Sequence, residues 1–321
     1  MERQNTSTSV AIASYNGESY IEEQLKSIIN QTYRVSEIVI CDDCSTDRTV
    51  QLATEVLKNS GIQFNILLHD ENQGVVSSFF EAIRACNGEI IFLADQDDVW
   101  KPQKVEVFLS RFAEDKSYAL CFSNAELVDA SLQPMGITLW KTIDFSNKCR
   151  SREDYVDELL KRNIFTGMSM AFRKREIIEE LIHSENMLHD EMIGWTALLN
   201  YNVASISETL ALYRQHAKNV KGTKGKSFRD IDSKTKSVII ESNRRFWKKF
   251  EDISEHTHDA AEIKRKVDKA ADFYKWKCDL SNIGRVKGLC YILKHGIQGS
   301  YRKFTSVSDH AFLKDLYICI H

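Results

Sequence analysis

Long apolar runs are missing from this 321-residue sequence. No uninterrupted stretch approaches the roughly 20 residues that a membrane-spanning helix needs. The first ten residues are polar and lack a basic-then-apolar signal pattern, so the chain is expected in the cytoplasm. Paired cysteines are also scarce. Of eight, only Cys41 and Cys44 form a CxxC, with no second pair and no histidine near them in sequence, so a zinc site is not expected. The intervening Asp42-Asp43 disfavours a thiolate, and both cysteines read as ordinary reduced thiols. Internal repeats are absent. With 43% apolar and 28% charged residues, the composition is that of a globular protein with an ample core.

Charge is unevenly distributed. Residues 1–216 carry 20 Lys or Arg against 33 Asp or Glu, a net of −13, and residues 217–321 carry 23 against 13, a net of +10. This suggests an acidic body at 1–216 and a basic extension at 217–321. A basic amphipathic extension suits an anionic surface, membrane or nucleic acid, and solvated helix faces account for it equally well. Lys218, Lys221 and Lys224 lie in a glycine- and lysine-rich stretch that reads as a mobile loop. Beyond it the pattern is helical, and its aromatic positions, such as Phe250, Phe273 and Tyr274, read as core.

The first half alternates strand and helix. Strands are expected at 10–14, 37–41, 66–68 and 90–94, each followed by a helical apolar period, which implies a parallel sheet with right-handed crossovers. Ser45 reads as the cap of the second helix. Further strands are expected at 118–123, 165–172, 203–206 and 210–213, with 130–150 as loop or hairpin. Ser151 caps one helix and His189-Asp190 opens another. Polar signatures follow three strands, at Tyr15-Asn16, Asp42-Asp43 and Asp95-Gln96-Asp97-Asp98, and would gather at one edge of the sheet.

The run ending at Asp95-Gln96-Asp97-Asp98-Val99-Trp100 is the most informative. In an extended chain Asp95 and Asp97 share a face, and two hard oxygen donors at a strand's carboxyl end suit Mg²⁺ or Mn²⁺. Open α/β sheets bind ligands at that edge. Helix capping alone needs one Asp rather than three. A calcium loop fails because Val99 and Trp100 occupy positions a ligand and glycine would need.

These motifs, with Ala13-Ser14-Tyr15-Asn16-Gly17, Thr166-Gly167 and Tyr213-Arg214-Gln215-His216, resemble glycosyltransferase family 2, inverting enzymes of the GT-A fold, over residues 9–216. The Asp-Gln-Asp-Asp-Val-Trp and Tyr-Arg-Gln-His forms look most like bacterial polysaccharide rhamnosyltransferases. Cys44 departs from the family pattern, where glycine or asparagine is usual. The resemblance implies a Rossmann-like, mostly parallel central sheet with helices on both faces, plus a helical C-terminal extension. It implies Mn²⁺ or Mg²⁺, a nucleoside diphosphate sugar such as dTDP-rhamnose, and a polysaccharide or lipid-linked glycan acceptor. Peripheral contact with the cytoplasmic membrane through the basic region fits, and no nucleic acid is implied.

By the same resemblance, Ala13, Tyr15, Asp43, Asp95, Gln96 and Arg214 bind the nucleotide sugar. Tyr15 stacks on the base and Asp43 accepts from it. Asp97, Asp95 and His216 hold the metal, and Asp190 is the catalytic base. Asp98, Thr166, Gly167 and His189 face sugar or acceptor. Apart from the resemblance, Arg214 and the three lysines would suit a lid that closes over the diphosphate and excludes water, with solvated loop charges the default reading of the lysines. Three alternatives stand beside this reading: a UDP-hexose-dependent enzyme of the same fold, a nucleotidyltransferase and a non-catalytic scaffold. A nucleotidyltransferase would carry a glycine-rich basic loop where Tyr15-Asn16-Gly17 stands, and a scaffold would not need Asp95, Asp97 and Asp190.

Overall fold

The computed structural model describes residues 6–149, 151–216, 233–258, 260–280, 282–306 and 310–320. The stretch with Lys218, Lys221 and Lys224, and with it the expected lysine lid, lies outside the described residues. The strands are β1 (Thr8–Ser14), β2 (Glu37–Asp42), β3 (Gln63–Leu68), β4 (Ile90–Asp95), β5 (Val99–Trp100), β6 (Tyr118–Asp129), β7 (Pro134–Thr138), β8 (Met170–Arg173) and β9 (Asn202–Gln215). Between them run helices α1 (Ile21–Ile29), α2 (Thr49–Lys58), α3 (Val75–Ala85), α4 (Lys104–Glu114), α5 (Leu139–Thr142), α6 (Arg152–Leu159), α7 (Lys174–Glu179) and α8 (His189–Asn200). Five more follow: α9 (Ser233–Glu255), α10 (Ala261–Asp279), α11 (Arg285–Ile297), α12 (Ser300–Phe304) and α13 (Ala311–Ile320).

The chain divides into two compact units. The first holds the nine-stranded sheet, ordered β3-β2-β1-β4-β8-β6-β9-β5, with β7 paired to β6. β3, β2, β1 and β4 are mutually parallel. β8 runs against β4 and β6, and β9 runs with β6, so the sheet is mostly parallel, as expected. The core of β1, β2 and β4 is Val10, Ala11, Ile12, Ile38, Val39, Ile40, Ile91, Phe92 and Leu93, each 0–1% exposed. Such strands read as continuous apolar runs because parallel sheets are covered on both faces.

The second half of this unit departs from the sequence expectation. The two closing strands are one 14-residue strand, β9, which follows β6 through three register shifts. The expected strand at 165–172 begins instead as a 3-10 turn at Gly167–Ser169, held by Ser169 N–H and Oγ–H on Thr166 O, and becomes extended only at β8. The irregular stretch after β6 is a hairpin with β7, then α5.

The second unit contains α9–α13 together with residues 148–164 and 182–187. These two segments lie on the acidic side of the division at 216. They are fastened by Asp157 to Lys266 and by Ser184 and Asn186 to Asp252. Ser151 and Asp154 form the capping box of α6. Phe250, Phe273 and Tyr274 are buried, as expected of a core, and Ile239, Leu280, Ile292, Ile318 and Cys319 form a separate cluster. No helix among the described residues is long and apolar enough to cross a membrane.

Candidate active site

The register of three parallel strands assembles the first part of the site. Ala13 pairs with Cys41 on one side and Asp95 on the other, so the ends of β1, β2 and β4 lie abreast. Tyr15, 47% exposed, leaves β1 at this edge. Its main chain is gripped by Gln96, which accepts from Tyr15 N–H at 2.9 Å and donates to Tyr15 O at 3.0 Å. A primary amide that bonds both main-chain groups of Tyr15 positions that residue.

Asp42 and Asp43 separate clearly. Asp42 accepts from Ser14 Oγ–H, Ser45 N–H and Ser45 Oγ–H, and so ties the turn together. Ser45 is therefore not the helix cap. Asp47, whose Oδ1 accepts from Thr49 N–H at 2.9 Å, serves the first turn of α2. Cys44 has φ +65°, which explains why its position favours glycine or asparagine. Asp43 Oδ1 accepts from His69 Nδ1 at 2.8 Å and Gln73 N–H at 2.7 Å, and Oδ2 accepts from Gly74 N–H at 2.8 Å. Gly74 has φ +89°, a conformation that only glycine adopts easily. Burial alone would raise the Asp43 carboxyl, yet the bonds from His69, Gln73 and Gly74 outweigh it and hold the group below its ordinary value. With four lone-pair directions and three donors, Oδ2 keeps one acceptor direction to spare.

His69 was not foreseen. Its Nε2 lies 3.1 Å from Glu81 Oε2 and 3.3 Å from Cys41 Sγ. The bond to Asp43 raises the imidazole above its ordinary value against the opposing effect of burial, and Glu81 adds to the rise. The ligand atoms of Cys41, His69 and Glu81 lie within 4.8 Å of one another. Burial, with Glu81, Asp43 and Asp42 nearby, pushes the Cys41 thiol up to about 12, in keeping with an ordinary thiol.

The second part gathers carboxylates at the end of β4. Burial pushes the Asp95 carboxyl up to about 7, and the charges of Asp97 and Asp190 add to this. Asp190, 8% exposed, is the second residue of α8 and thus comes within electrostatic reach of Asp95. His216 Nε2 lies 2.8 Å from Asp97 Oδ2, with Tyr20 stacked on the His216 ring at 4.7 Å. Asp98 is fully buried. Its Oδ1 accepts from Arg214 N–H at 2.9 Å, its Oδ2 is buried without a hydrogen-bond partner, and burial followed by Asp97 and Asp95 raises it well above its ordinary value. Asp98 thus sits wholly inside the fold, tied to the end of β9.

Arg214 holds the same loop. Its guanidinium donates to Asp97 O and Ala130 O, both at 2.7 Å, and to Glu23 at 2.5 Å, and its side chain is 3% exposed. It pins the end of β9 to the acidic loop. Lys104, also unforeseen, is fully buried over the Trp100 ring at 3.9 Å and donates to Met168 O at 2.5 Å. Burial depresses it to about 7, opposed by Asp98 and Asp95. Thr166 is half-buried and caps the 3-10 turn. A Cβ on Gly167 would come within 2.9 Å of His189 Nε2, so glycine there lets the His189 ring, stacked on Phe79, approach the turn. A cavity of about 510 Å³ lined by residues including Asn124, Trp140 and Asn147 contains none of the motif residues.

Residues 9–182, more than half of the sequence, match the model of glycosyl transferase family 2. The chain belongs to that family. An uncharacterised Mycobacterium tuberculosis protein is 28% identical over 223 residues, covering 66% of this chain and 60% of that protein. This chain thus spans about 60% of the length of the mycobacterial relatives. TuaG of Bacillus subtilis, a glycosyltransferase named for teichuronic acid biosynthesis, is 27% identical over 221 residues, 68% of this chain and 83% of TuaG. Among solved structures, Staphylococcus aureus TarS 1–349 in complex with UDP matches with a TM-score of 0.59 at 17% identity, covering 98% of this chain and 89% of that one. The mannosyltransferase PcManGT of Pyrobaculum calidifontis, in complex with GDP-Man and Mn²⁺, matches with a TM-score of 0.52 at 15% identity, over 98% and 87% of the two chains. The fold of this family 2 chain is therefore that of known glycosyltransferases.

The acidic end of β4 in this family 2 chain fits a divalent cation. Asp95 and Asp97 offer hard oxygens and His216 a nitrogen. Burial first, and then the neighbouring carboxylates, raise Asp95 and Asp98, and Asp98 Oδ2 has no hydrogen-bond partner among the described residues; a positive ion would relieve this crowding of acidic groups.

Proposed function

We propose that this protein is a metal-dependent, inverting glycosyltransferase that takes its sugar from a nucleoside diphosphate and passes it to a polysaccharide or lipid-linked glycan. The observation that carries the reading is the grouping of Asp95, Asp97, Asp190 and His216 at one sheet edge, beside exposed Tyr15 and Asp43 with its spare acceptor direction. Tyr15 offers a ring face to the base. Asp43 accepts N3–H of uracil or thymine, whereas adenine and cytosine have no donor there. Asp95 and Asp97, with His216, hold Mg²⁺ or Mn²⁺. When bound, the ion offsets the charge that builds on the leaving diphosphate. Asp190 takes the proton from the acceptor hydroxyl as its oxygen bonds to the anomeric carbon and the bond from that carbon to the diphosphate breaks. Ala13, Thr166, Gly167 and His189 line the space around the sugar.

The motif forms Asp-Gln-Asp-Asp-Val-Trp and Tyr-Arg-Gln-His favour L-rhamnose from dTDP-rhamnose. A UDP-hexose is the second reading, supported by the fold likeness to TarS in complex with UDP-GlcNAc. A screen of nucleotide sugars for donor hydrolysis with Mn²⁺ separates them. Turnover of dTDP-rhamnose alone supports the first, turnover of a UDP-hexose replaces it, and turnover of none refutes the enzyme reading. Asp97→Ala should abolish metal-dependent transfer with an unchanged circular dichroism spectrum, and full activity in that variant would remove the metal assignment.

A further inference from the structure

The outer face of α11 is apolar although nothing among the described residues of its own unit covers it. Gly288 and Ile292 point inward, where Ile292 joins Ile318 and Cys319 in a buried cluster. On the opposite side Val286, Leu289, Leu293 and Ile297 follow one another at intervals of three, four and four residues, the spacing of a single helical stripe. They are 80%, 42%, 50% and 88% exposed. Phe312 of α13, 36% exposed, stands beside Gly296 and widens the stripe. Scattered exposed apolar residues are ordinary, whereas a contiguous stripe on one helix marks a docking face.

The charge around the stripe selects the partner. Residues 280–308 contain five Lys or Arg and no Asp or Glu. Lys287 and Lys294 flank the stripe and are exposed. A second copy of this face would set lysine against lysine, so self-association is disfavoured. An apolar stripe bordered by cations is the pattern of a helix that lies in the headgroup region of an anionic bilayer, with its apolar side sunk and its lysines among the phosphates. We propose that α11, with Phe312 of α13, is a membrane-surface contact that binds anionic lipid.

Co-sedimentation of the full chain with vesicles of phosphatidylcholine alone, or mixed with phosphatidylglycerol, tests this. Binding is expected to the mixed vesicles only, and to weaken as salt is raised. Val286→Glu with Ile297→Glu alters the two most exposed positions and so spares the core. It should reduce binding about tenfold or more, from the loss of two buried apolar side chains. Lys287→Glu with Lys294→Glu should lose binding as well. Binding to neither vesicle, or equal binding by the Val286→Glu, Ile297→Glu variant, overturns the proposal. So does a concentration-dependent dimer that this variant dissolves while vesicles bind nothing. Both variants should keep wild-type nucleotide affinity. Vesicle binding without any nucleotide-sugar turnover would leave this surface intact and refute the catalytic reading instead.

Discussion

Replacing His69 tests how the carboxylate proposed to meet the base is held in place. The Asp43 side chain is only 6% exposed and has three donors, His69 Nδ1 and the amides of Gln73 and Gly74. Removing the imidazole leaves a buried carboxylate with two. Loss of one hydrogen bond to a charged group costs about 1.5–3 kcal/mol, so His69→Ala should lower unfolding stability by about 2 kcal/mol. Part of that cost falls on the nucleotide site, because Asp43 then turns or protonates more readily. A tenfold loss of UDP or dTDP affinity, about 1.4 kcal/mol, is the expected scale. His69→Gln, which keeps a neutral donor, should recover much of the affinity.

The pH dependence supplies a second readout. His69 is raised in the folded state by Asp43 first and Glu81 after it, against burial. Its stabilisation is therefore complete below the unfolded imidazole value of about 6.5 and is lost as pH rises through the raised folded value. Asp43 is lowered, because its hydrogen bonds outweigh burial, so its contribution is present above the ordinary carboxylate value and is lost as pH falls through the lowered one. Urea unfolding across this range, paired with calorimetric titration of UDP and dTDP, should show an alkaline loss in the wild type that both His69 variants lack. If His69→Ala keeps the wild-type alkaline slope and full nucleotide affinity, the imidazolium does not hold Asp43.

Two other substitutions divide chemistry from scaffold. Asp190→Asn should reduce transfer about 10²- to 10⁴-fold with nucleotide affinity unchanged in calorimetry, and loss of both would make Asp190 structural. Lys104→Met removes the buried cation facing Asp95 and Asp98 and should cost about 3 kcal/mol in urea unfolding, whereas an unchanged midpoint would show that those carboxyls are already neutral.

Strands β1, β2 and β4 were legible because they are buried on both faces, so Val10–Ile12, Ile38–Ile40 and Ile90–Ala94 stand out as unbroken apolar runs ending in polar residues. The other half was harder to read. β9 keeps pairing with β6 through three register shifts, past the polar Ser207-Glu208-Thr209 that reads as a turn between two strands. The 3-10 turn at Gly167–Ser169 hides in an apolar run because its hydrogen bonds are local to Thr166. His69, Lys104 and Tyr20 carried no signal. Their partners Asp43, Met168 and His216 are 26, 64 and 196 positions away, and only the tertiary fold brings them together.

The motif letters also conceal a division that burial reveals. Asp42, Gln96, Asp98 and Arg214 belong to the same ordered motifs as Asp43, Asp97 and His216, yet their polar groups are engaged within the protein. The buried Arg214 joins Asp97 O, Asp98 Oδ1, Ala130 O and the half-exposed Glu23 in one network, so the end of β9 cannot shift without moving the loop that carries Asp97. That network also fixes where His216 stands, two residues further on and 2.8 Å from Asp97 Oδ2. A motif of this kind therefore needs its scaffold residues as strictly as its chemical ones. A carboxylate pair proposed to hold one ion has to be positioned by the groups around it. By this reasoning Arg214→Lys, which keeps the charge but loses the fork to Glu23, Ala130 O and Asp97 O, should weaken Mn²⁺ binding while Tyr15 and Asp43 still bind nucleotide.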